Sequence, residues 1–368
     1  MNAASLIQRL DNLYARTTGF KDSIGYPCNL ELDYLAPLQG LLSRPLINVG
    51  IPSPEDKVNH ALSTADFERE VIRFVARLYG LSEQDIYHGY ITSGGTEANL
   101  YGLARARDDW PDATLYFSSS SHYSIVKSAR LLGLKHRIIA TQPAGEMDYA
   151  RLTDELGRER PQSVILSLNI GTTMTGAIDR VETALAVLRQ RGIERFHIHC
   201  DAALFGMMLP FLPDSPCPHF SQPIHSLAIS GHKFLGCPFP CGMVITRRQP
   251  EACPIEYIHS HDTTLLGSRN GHAPVFLWYA LTTRGLAGLK QEVDECIENA
   301  RHLEKGLIRG GYPHFRNDYS NIVCLQKPGD EVIRKWNLAV EDAWAHVVAM
   351  QHVNRERLDR FLHDVCHF

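Results

Sequence analysis

The stretch Ser226-Leu227-Ala228-Ile229-Ser230-Gly231-His232-Lys233 contains a short apolar run that ends abruptly in small and polar residues. Other runs rich in aliphatic and aromatic residues lie at Thr114 to Phe117, Ser163 to Leu168, His197 to Cys200 and Met243 to Thr246. Most of them are separated by stretches with helical periodicity, such as Leu152 to Arg158 and Val181 to Gly192. This alternation predicts an α/β fold with a mostly parallel sheet covered by helices.

The pattern changes after about Ala273, where strand-like residues become few. Helical stretches over 277–286 and 289–308 precede strand-like residues 322–325 and 345–350 and a closing helix over 355–365. This order predicts a smaller α+β domain. We therefore expect an N-terminal segment over residues 1–55, a large domain over 56–272 and a small C-terminal domain over 273–368.

Two features are predicted ahead of the sheet. Residues 66–79 form an amphipathic helical pattern with Phe67, Val71 and Phe74 on one side. Residues 47–56 contain glycine and prolines and predict an irregular loop.

Composition excludes several classes of protein. The 368 residues are 44% hydrophobic and 21% charged, which is typical of a folded chain with a large core. With 37 Lys and Arg against 41 Asp and Glu, the chain lacks the basic excess that nucleic-acid binding requires. No apolar run approaches the roughly 18 to 20 residues of a membrane span, and the first 16 residues include several polar ones. We expect a soluble, unexported protein with neither nucleic acid nor membrane as a partner.

The nine cysteines are scattered and predict neither a disulfide framework nor a zinc site, so we expect reduced cytoplasmic thiols. Eighteen histidines raise the question of a metal site. His197 and His199 share one face of a predicted strand, and His259 and His261 have the same spacing. Neither pair has a third ligand at a recognised spacing, so we expect no metal.

Lys233 follows a predicted strand and precedes a turn rich in glycine, proline and cysteine. A lysine held there can be partly desolvated, which lowers the pKa of its amine and makes it a nucleophile for aldehydes. An ordinary solvated lysine is the structural alternative. Asp201 ends another predicted strand and precedes Ala202 and Ala203, so it suits the protonated nitrogen of a flat pyridine ring. It could equally cap a helix.

The segment Ser93-Gly94-Gly95-Thr96-Glu97-Ala98-Asn99 opens a predicted helix. Its free backbone N–H groups and hydroxyls would form an anion cradle suited to phosphate, although such residues also serve as simple caps. His122 follows the strand at Thr114 to Phe117, where its flat ring could stack on a cofactor or have a structural role.

These residues together resemble the pyridoxal-phosphate decarboxylases of the aromatic-amino-acid decarboxylase superfamily, most of all the subgroup of bacterial histidine decarboxylase and serine decarboxylase. The likeness runs from about Ile24 almost to the C-terminus. Its markers are residues 93–99, Ser121-His122-Tyr123-Ser124, Asn169-Ile170-Gly171-Thr172-Thr173, His199-Cys200-Asp201-Ala202-Ala203, residues 230–233 and Gly267-Ser268-Arg269-Asn270-Gly271-His272.

The resemblance implies the aspartate-aminotransferase-type fold (fold type I), pyridoxal 5'-phosphate as cofactor and a role for each matching residue. Lys233 would bind the cofactor covalently, and Asp201 would keep the ring nitrogen protonated. His122 would stack on one ring face and Ala203 would pack on the other. The phosphate would be bound by Gly95, Thr96, Ser230 and His232.

The resemblance also implies a homodimer whose active site lies at the subunit interface. Ser268 would reach the phosphate of the neighbouring subunit, and the N-terminal segment would supply dimer and substrate-lining contacts. Tyr257 lies where the family has a mobile catalytic loop and is our candidate for returning a proton to the substrate carbon.

The implied reaction is decarboxylation of a small polar L-amino acid to its amine. Phe205-Gly206-Met207-Met208, residues 233–238 and Phe276-Leu277-Trp278-Tyr279 look more like serine decarboxylase. Residues 48–57, where the substrate-lining loop should lie, match neither subgroup. We expect serine, converted to ethanolamine, with histidine, converted to histamine, as the alternative.

Two other classes of function remain open. A transaminase would need an arginine to bind the substrate carboxylate, and Arg269 is the candidate. A regulatory protein with a degenerate site would tend to lose the lysine, yet Thr96, His122, Asp201 and Lys233 are all present.

Overall fold

The computed structural model describes residues 3–51, 62–256 and 260–366. The chain divides into two compact units, one formed by Leu32–Val293 and the other by Met1–Glu31 together with Asp294–Phe368. The boundaries predicted at residues 55 and 272 stay predictions. Within the described ranges, no helix is both long enough and apolar enough to cross a membrane.

The helices of the described residues include short 3-10 segments at Gly19–Asp22, Asp33–Ser43 and Leu209–Phe211. The α-helices are α1 (Ala3–Thr18), α2 (Ala65–Leu78), α3 (Gly95–Asp109), α4 (Tyr123–Leu132), α5 (Tyr149–Glu159), α6 (Val181–Gln190), α7 (His272–Arg309), α8 (Asp330–Trp336) and α9 (Arg355–Cys366).

The strands fall into one large sheet and three small ones. They are β1 (Ile47–Val49), β2 (His88–Thr92), β3 (Thr114–Ser118), β4 (His136–Ile139), β5 (Val164–Asn169), β6 (Phe196–Asp201), β7 (Ser226–Ser230), β8 (Gly242–Thr246), β9 (Cys253–Ile255), β10 (Ser260–Asp262), β11 (Ser268–Asn270), β12 (His314–Phe315), β13 (Ile322–Gln326), β14 (Ala339–Glu341) and β15 (Trp344–Val348).

The large sheet has seven strands in the order β2-β8-β7-β6-β5-β3-β4. Strands β4, β3, β5, β6 and β7 run parallel, and only the pairs β7–β8 and β2–β8 are antiparallel. Every residue of β5 and β7 is buried, as expected for parallel strands covered on both faces. The predicted α/β fold with a mostly parallel sheet is confirmed.

The smaller unit contains the antiparallel sheet β12-β13-β15-β14. The N-terminal part of this unit joins the sheet directly, because Val348 N donates to Ile24 O (2.7 Å) and Ile24 N donates to Trp336 O (3.1 Å). The α+β character predicted for the C-terminal region is therefore observed.

One local prediction was wrong. Residues 47–49 are not loop: they form β1, which pairs with β11 through Ile47↔Asn270 and Val49↔Ser268. The separate helices predicted over 277–286 and 289–308 are observed: the run α7 consists of two helices that meet at a kink at Gly285 (φ 58°, ψ −174°). A positive φ is inexpensive only for glycine, so the break lies there.

Candidate active site

The candidate site residues lie at the carboxyl ends of two neighbouring parallel strands. Asp201 is the last residue of β6, and Lys233 lies three residues after the end of β7. The two strands pair in parallel, with Asp201 opposite Ala228. Since ligands bind at the carboxyl ends of strands in open α/β sheets, the sheet places Asp201 and Lys233 where such a site is expected.

Asp201 is 5% exposed, and each of its carboxylate oxygens has a donor. Asn99 Nδ2 donates to Oδ2 (2.8 Å), and the backbone N–H of Ala203 donates to Oδ1 (3.1 Å). Hydrogen bonds to an ionised carboxylate stabilise its charged form. A turn rather than an α-helix follows Asp201, so the helix-cap alternative is not observed.

His122 lies near both charged candidates, Asp201 and Lys233. Burial lowers the pKa of its imidazole, the Asp201 carboxylate opposes this lowering, and the Lys233 ammonium adds to it. Both charges are therefore close enough to act on the ring. His122 also caps α4, because its Nδ1 accepts from Ser124 N (3.3 Å) and lies 2.7 Å from Ser124 Oγ. The structure thus brings together His122, Asp201 and Lys233.

The turn that carries Lys233 is held by polar contacts to its backbone. The carbonyl of Leu235 accepts from Tyr34 Oη (2.7 Å) and from an Arg284 guanidinium nitrogen (3.0 Å). Burial raises the pKa of Tyr34 to about 12, so its hydroxyl keeps its proton. His232 Nδ1 lies 2.8 Å from the carbonyl oxygen of Cys241, across the same turn. Lys233 itself is half-buried.

The start of α3 packs closely against the end of β7. A Cβ atom added at Gly95 would lie 2.7 Å from Ser230 Oγ and 3.3 Å from Ala203 Cβ, so a side chain there would displace Ser230 Oγ and crowd Ala203. Gly94 caps the helix and has no side chain to satisfy the first-turn N–H groups, and Thr96 is half-buried in that turn. Unsatisfied N–H groups at a helix start favour an anion.

Two predicted site residues, Ser268 and Tyr257, are not part of the cluster formed by His122, Asp201 and Lys233 in the described residues. Ser268 is exposed on β11, in the two-stranded sheet with β1. Its predicted contact with a neighbouring subunit stays a prediction. Tyr257, like His259, lies outside the described residues.

Arg269 is not available to bind a substrate carboxylate. It is 5% exposed and forms an ion pair with the buried Glu68. Its guanidinium also donates to the carbonyls of Gly50 (2.8 Å) and Ile91 (3.1 Å) and lies 5.2 Å from the Tyr90 ring centroid. Because these contacts occupy the guanidinium, Arg269 does not supply the carboxylate-binding arginine that a transaminase would need.

The histidine pair of β6 has partners other than a metal. His199 Nε2 lies 2.9 Å from Asn99 Oδ1, and His197 Nδ1 lies 3.2 Å from Asp109 Oδ2. Across the described ranges, no group of three or more His, Cys, Asp or Glu residues is arranged to hold a metal ion.

Several residues of the site have partners that sequence reasoning missed. Asn99 lies within a quoted motif but had no role assigned to it, and Tyr34 and Arg284 were not considered. One pattern could have indicated His199: it lies two residues before Asp201 on one strand, so both side chains leave the same face.

The described residues fit pyridoxal phosphate. The buried carboxylate of Asp201 matches a protonated ring nitrogen, and the amine of Lys233 matches an aldehyde. The close approach at Gly95 leaves backbone N–H groups of α3 for a phosphate. No metal is needed to complete this set of groups.

Comparisons with known proteins agree with this fit. The pyridoxal-dependent decarboxylase conserved domain matches residues 58–315. Serine decarboxylase 2 of Oryza sativa subsp. japonica is 44% identical over 347 residues, covering 93% of this chain and 73% of that protein. Histidine decarboxylase of Solanum lycopersicum is 42% identical, covering 98% of this chain and 87% of that protein. Bacterial histidine decarboxylases are 35–37% identical.

A solved structure has the same fold. L-methionine decarboxylase from Streptomyces sp.590, complexed with L-methionine methyl ester, superposes with a TM-score of 0.87 at 22% identity. The match covers 100% of this chain and 95% of that one.

Proposed function

The chain belongs to the pyridoxal-dependent decarboxylase family, and on that premise we propose that it converts L-serine to ethanolamine and CO2. Its fold is the aspartate-aminotransferase type (fold type I), and its cofactor is pyridoxal 5'-phosphate. The observation that supports serine is the 42–44% identity to three serine decarboxylases of Oryza sativa, against 42% for the histidine decarboxylase of Solanum lycopersicum and 35–37% for the bacterial ones.

Asp201 and Lys233 are proposed to act on opposite ends of the cofactor. When bound, pyridoxal phosphate supplies an aldehyde that joins to amines and a pyridinium ring that accepts the electron pair released as CO2 leaves. Lys233 would hold the aldehyde end through its Nζ. The buried Asp201 carboxylate would face the ring nitrogen and favour the protonated form by Coulomb attraction.

The remaining residues are proposed to hold the cofactor or handle a proton. His122 would pack against one face of the ring and Ala203 against the other. Gly95, Thr96, Ser230 and His232 would bind the phosphate, supported by the close packing of α3 on β7. Tyr257 is proposed to return a proton to the substrate carbon.

An amine-release assay on purified, cofactor-loaded protein tests the substrate. Ethanolamine from L-serine is expected, with kcat/KM at least about tenfold above that for L-histidine, because a pocket built for a small hydroxyl discriminates against a larger ring. Mass spectrometry identifies the product among all common L-amino acids. If histamine were the dominant amine, the substrate would be L-histidine and not L-serine. The similarity to the histidine decarboxylase of Solanum lycopersicum favours this alternative. Keto-acid formation without CO2 would contradict decarboxylation.

A homodimer is the proposed functional unit. Helix α1 exposes Ile7, Leu10, Leu13 and Tyr14 by 45–71%, an apolar set at helical spacing that a second copy would cover. Ser268 of one subunit would then reach the phosphate bound by the other. Light scattering is expected to give twice the 41.3 kDa chain mass, and Leu10→Asp should shift the protein toward the 41.3 kDa monomer. A wild-type protein that stays at 41.3 kDa under assay conditions would refute the dimer.

The proposed location is the cytoplasm. None of the nine cysteines forms a disulfide, and five of them (Cys200, Cys237, Cys241, Cys296 and Cys324) are buried. Such thiols persist in a reducing compartment. Cell fractionation checks this, and recovery with secreted proteins would contradict it.

A further inference from the structure

Asn99 makes three hydrogen bonds, although only 1% of its surface is exposed. Its Nδ2 donates to Asp201 Oδ2 (2.8 Å) and to Ser124 Oγ (3.0 Å). Its Oδ1 lies 2.9 Å from His199 Nε2. The amide therefore joins the carboxylate to His199 of the same strand and, through Ser124, to His122.

The directions of these hydrogen bonds follow from the chemistry of the groups. An ionised carboxylate only accepts, so the nitrogen of the Asn99 amide must face Asp201. Its oxygen then faces His199, and His199 must carry a proton on Nε2. Ser124 Oγ accepts from Asn99 and can donate to His122 Nδ1, which lies 2.7 Å away. The nitrogen and the oxygen of the Asn99 amide thus each have an assigned partner. In a flipped amide, the Asn99 oxygen would face the Asp201 carboxylate, and no hydrogen bond could form between them.

His199 is suited to hold the Asn99 amide in this direction. It is completely buried, and burial lowers the pKa of its imidazole to about 3, so it stays neutral. Its Nδ1 lies 2.8 Å from Ser226 Oγ, which can donate to it when the proton of His199 is on Nε2. Beyond Ser226, His197 Nε2 lies 3.0 Å from the same hydroxyl.

Helix α3 packs closely against the His199 imidazole at Gly102. A Cβ atom at Gly102 would lie 2.4 Å from His199 Nδ1 and 3.1 Å from Ser226 Oγ. Gly102 lies seven residues, about two helical turns, after Gly95, and both glycines let α3 lie close to the sheet. The His199 ring therefore occupies the space that a side chain at position 102 would need.

We propose that Asn99 is a positioning residue that holds the Asp201 carboxylate and the His122 imidazole in one fixed arrangement, and that His199 fixes the direction of the Asn99 amide. The inference rests on the proposed function for the roles of Asp201 and His122. The hydrogen-bond directions themselves do not depend on which amino acid is the substrate.

A pair of substitutions at His199 separates positioning from simple packing. In His199→Gln, the side-chain amide can still donate to Asn99 Oδ1, whereas His199→Leu fills the space without a donor. We expect kcat to fall about tenfold to a hundredfold in His199→Leu, with KM changed less than threefold, and most of this loss to be recovered in His199→Gln. His346→Gln, at a buried histidine on β15, is the matched control and should retain wild-type kcat.

Two measurements do not depend on turnover. Nitrogen-15 NMR of histidine-labelled apo-protein should show a neutral imidazole protonated on Nε2 that disappears in His199→Gln. The affinity for pyridoxal phosphate should fall about a hundredfold in Asn99→Asp, because a second carboxylate then faces Asp201. Thermal unfolding of each apo-protein reports whether it is folded.

These outcomes decide the proposal. It is overturned if His199 carries its proton on Nδ1, or if folded His199→Leu and His199→Gln lose kcat equally. It is also overturned if Asn99→Asp binds the cofactor as tightly as the wild type. If the wild type released no amine from any amino acid, the proposed function would fail, while the NMR and affinity results would still decide the role of Asn99.

Discussion

Lys233→Ala is expected to abolish amine release and the visible absorbance of the bound cofactor. Lys233 is the half-buried amine in the turn after β7, and its charge acts on His122 together with that of Asp201. Alanine has no group to bind an aldehyde, so covalent attachment of the cofactor is lost. Loss of a covalent group commonly removes many orders of magnitude of rate, and we expect kcat to fall at least about ten-thousandfold.

The absorbance spectrum and the amine assay together check this result. Lys127→Ala removes an exposed lysine of α4 and is the matched control, which should keep both properties. A small soluble amine added to Lys233→Ala should restore part of the activity, since the missing chemistry is that of a primary amine. A variant that keeps its absorbance band and its turnover would remove Lys233 from the site.

Asp201→Asn is expected to reduce kcat by about a thousandfold with the fold retained. Opposite charges 4 Å apart near a protein surface attract by about 4 kcal/mol, which corresponds to about a thousandfold in rate if it is lost only in the transition state. Asparagine keeps the size of the side chain but removes its charge. In the wild type, Asn99 Nδ2 and Ala203 N each donate a hydrogen bond to the carboxylate. The amide nitrogen of asparagine would face one of these two donors, and that hydrogen bond would be lost.

Steady-state kinetics and cofactor affinity measure the effect. Asp154→Asn removes the same charge from an exposed position on α5 and should leave both quantities unchanged. Asp201→Glu should recover less activity than a simple charge argument implies, because the longer side chain displaces Asn99. Wild-type kcat in Asp201→Asn would show that the ring nitrogen does not depend on this carboxylate.

The large sheet could be predicted because its strands are nearly continuous apolar runs. Strands β5 and β7 were predicted to within one residue at each end, since burial on both faces leaves few polar residues inside them, and β6 was predicted as closely although it contains His197 and His199. Strand β1 could not be predicted in this way. It has three residues, and its partner β11 lies more than 200 positions later, so no local periodicity marks the pair.

The same distinction applies to the site. Asp201, Lys233 and His122 could be found because each follows a strand, and parallel strands bring their carboxyl ends to one edge. The link from Asn99 to Asp201 spans 102 positions and depends on how closely α3 approaches β6. That distance is set by the glycines of α3 and the packing of the sheet, which no spacing rule encodes.

The glycine at position 102 has a thermodynamic consequence for α3 as a whole. Glycine inside a helix costs about 1 kcal/mol relative to alanine, and α3 also begins at Gly94 without a side-chain cap. Isolated helices of this length are marginal even with favourable sequences. Helix α3 therefore owes its folded state to the sheet beneath it, and a partly folded chain would lack the phosphate-binding turn and the Asn99 amide together. The binding site thus forms in the same cooperative step as the central sheet.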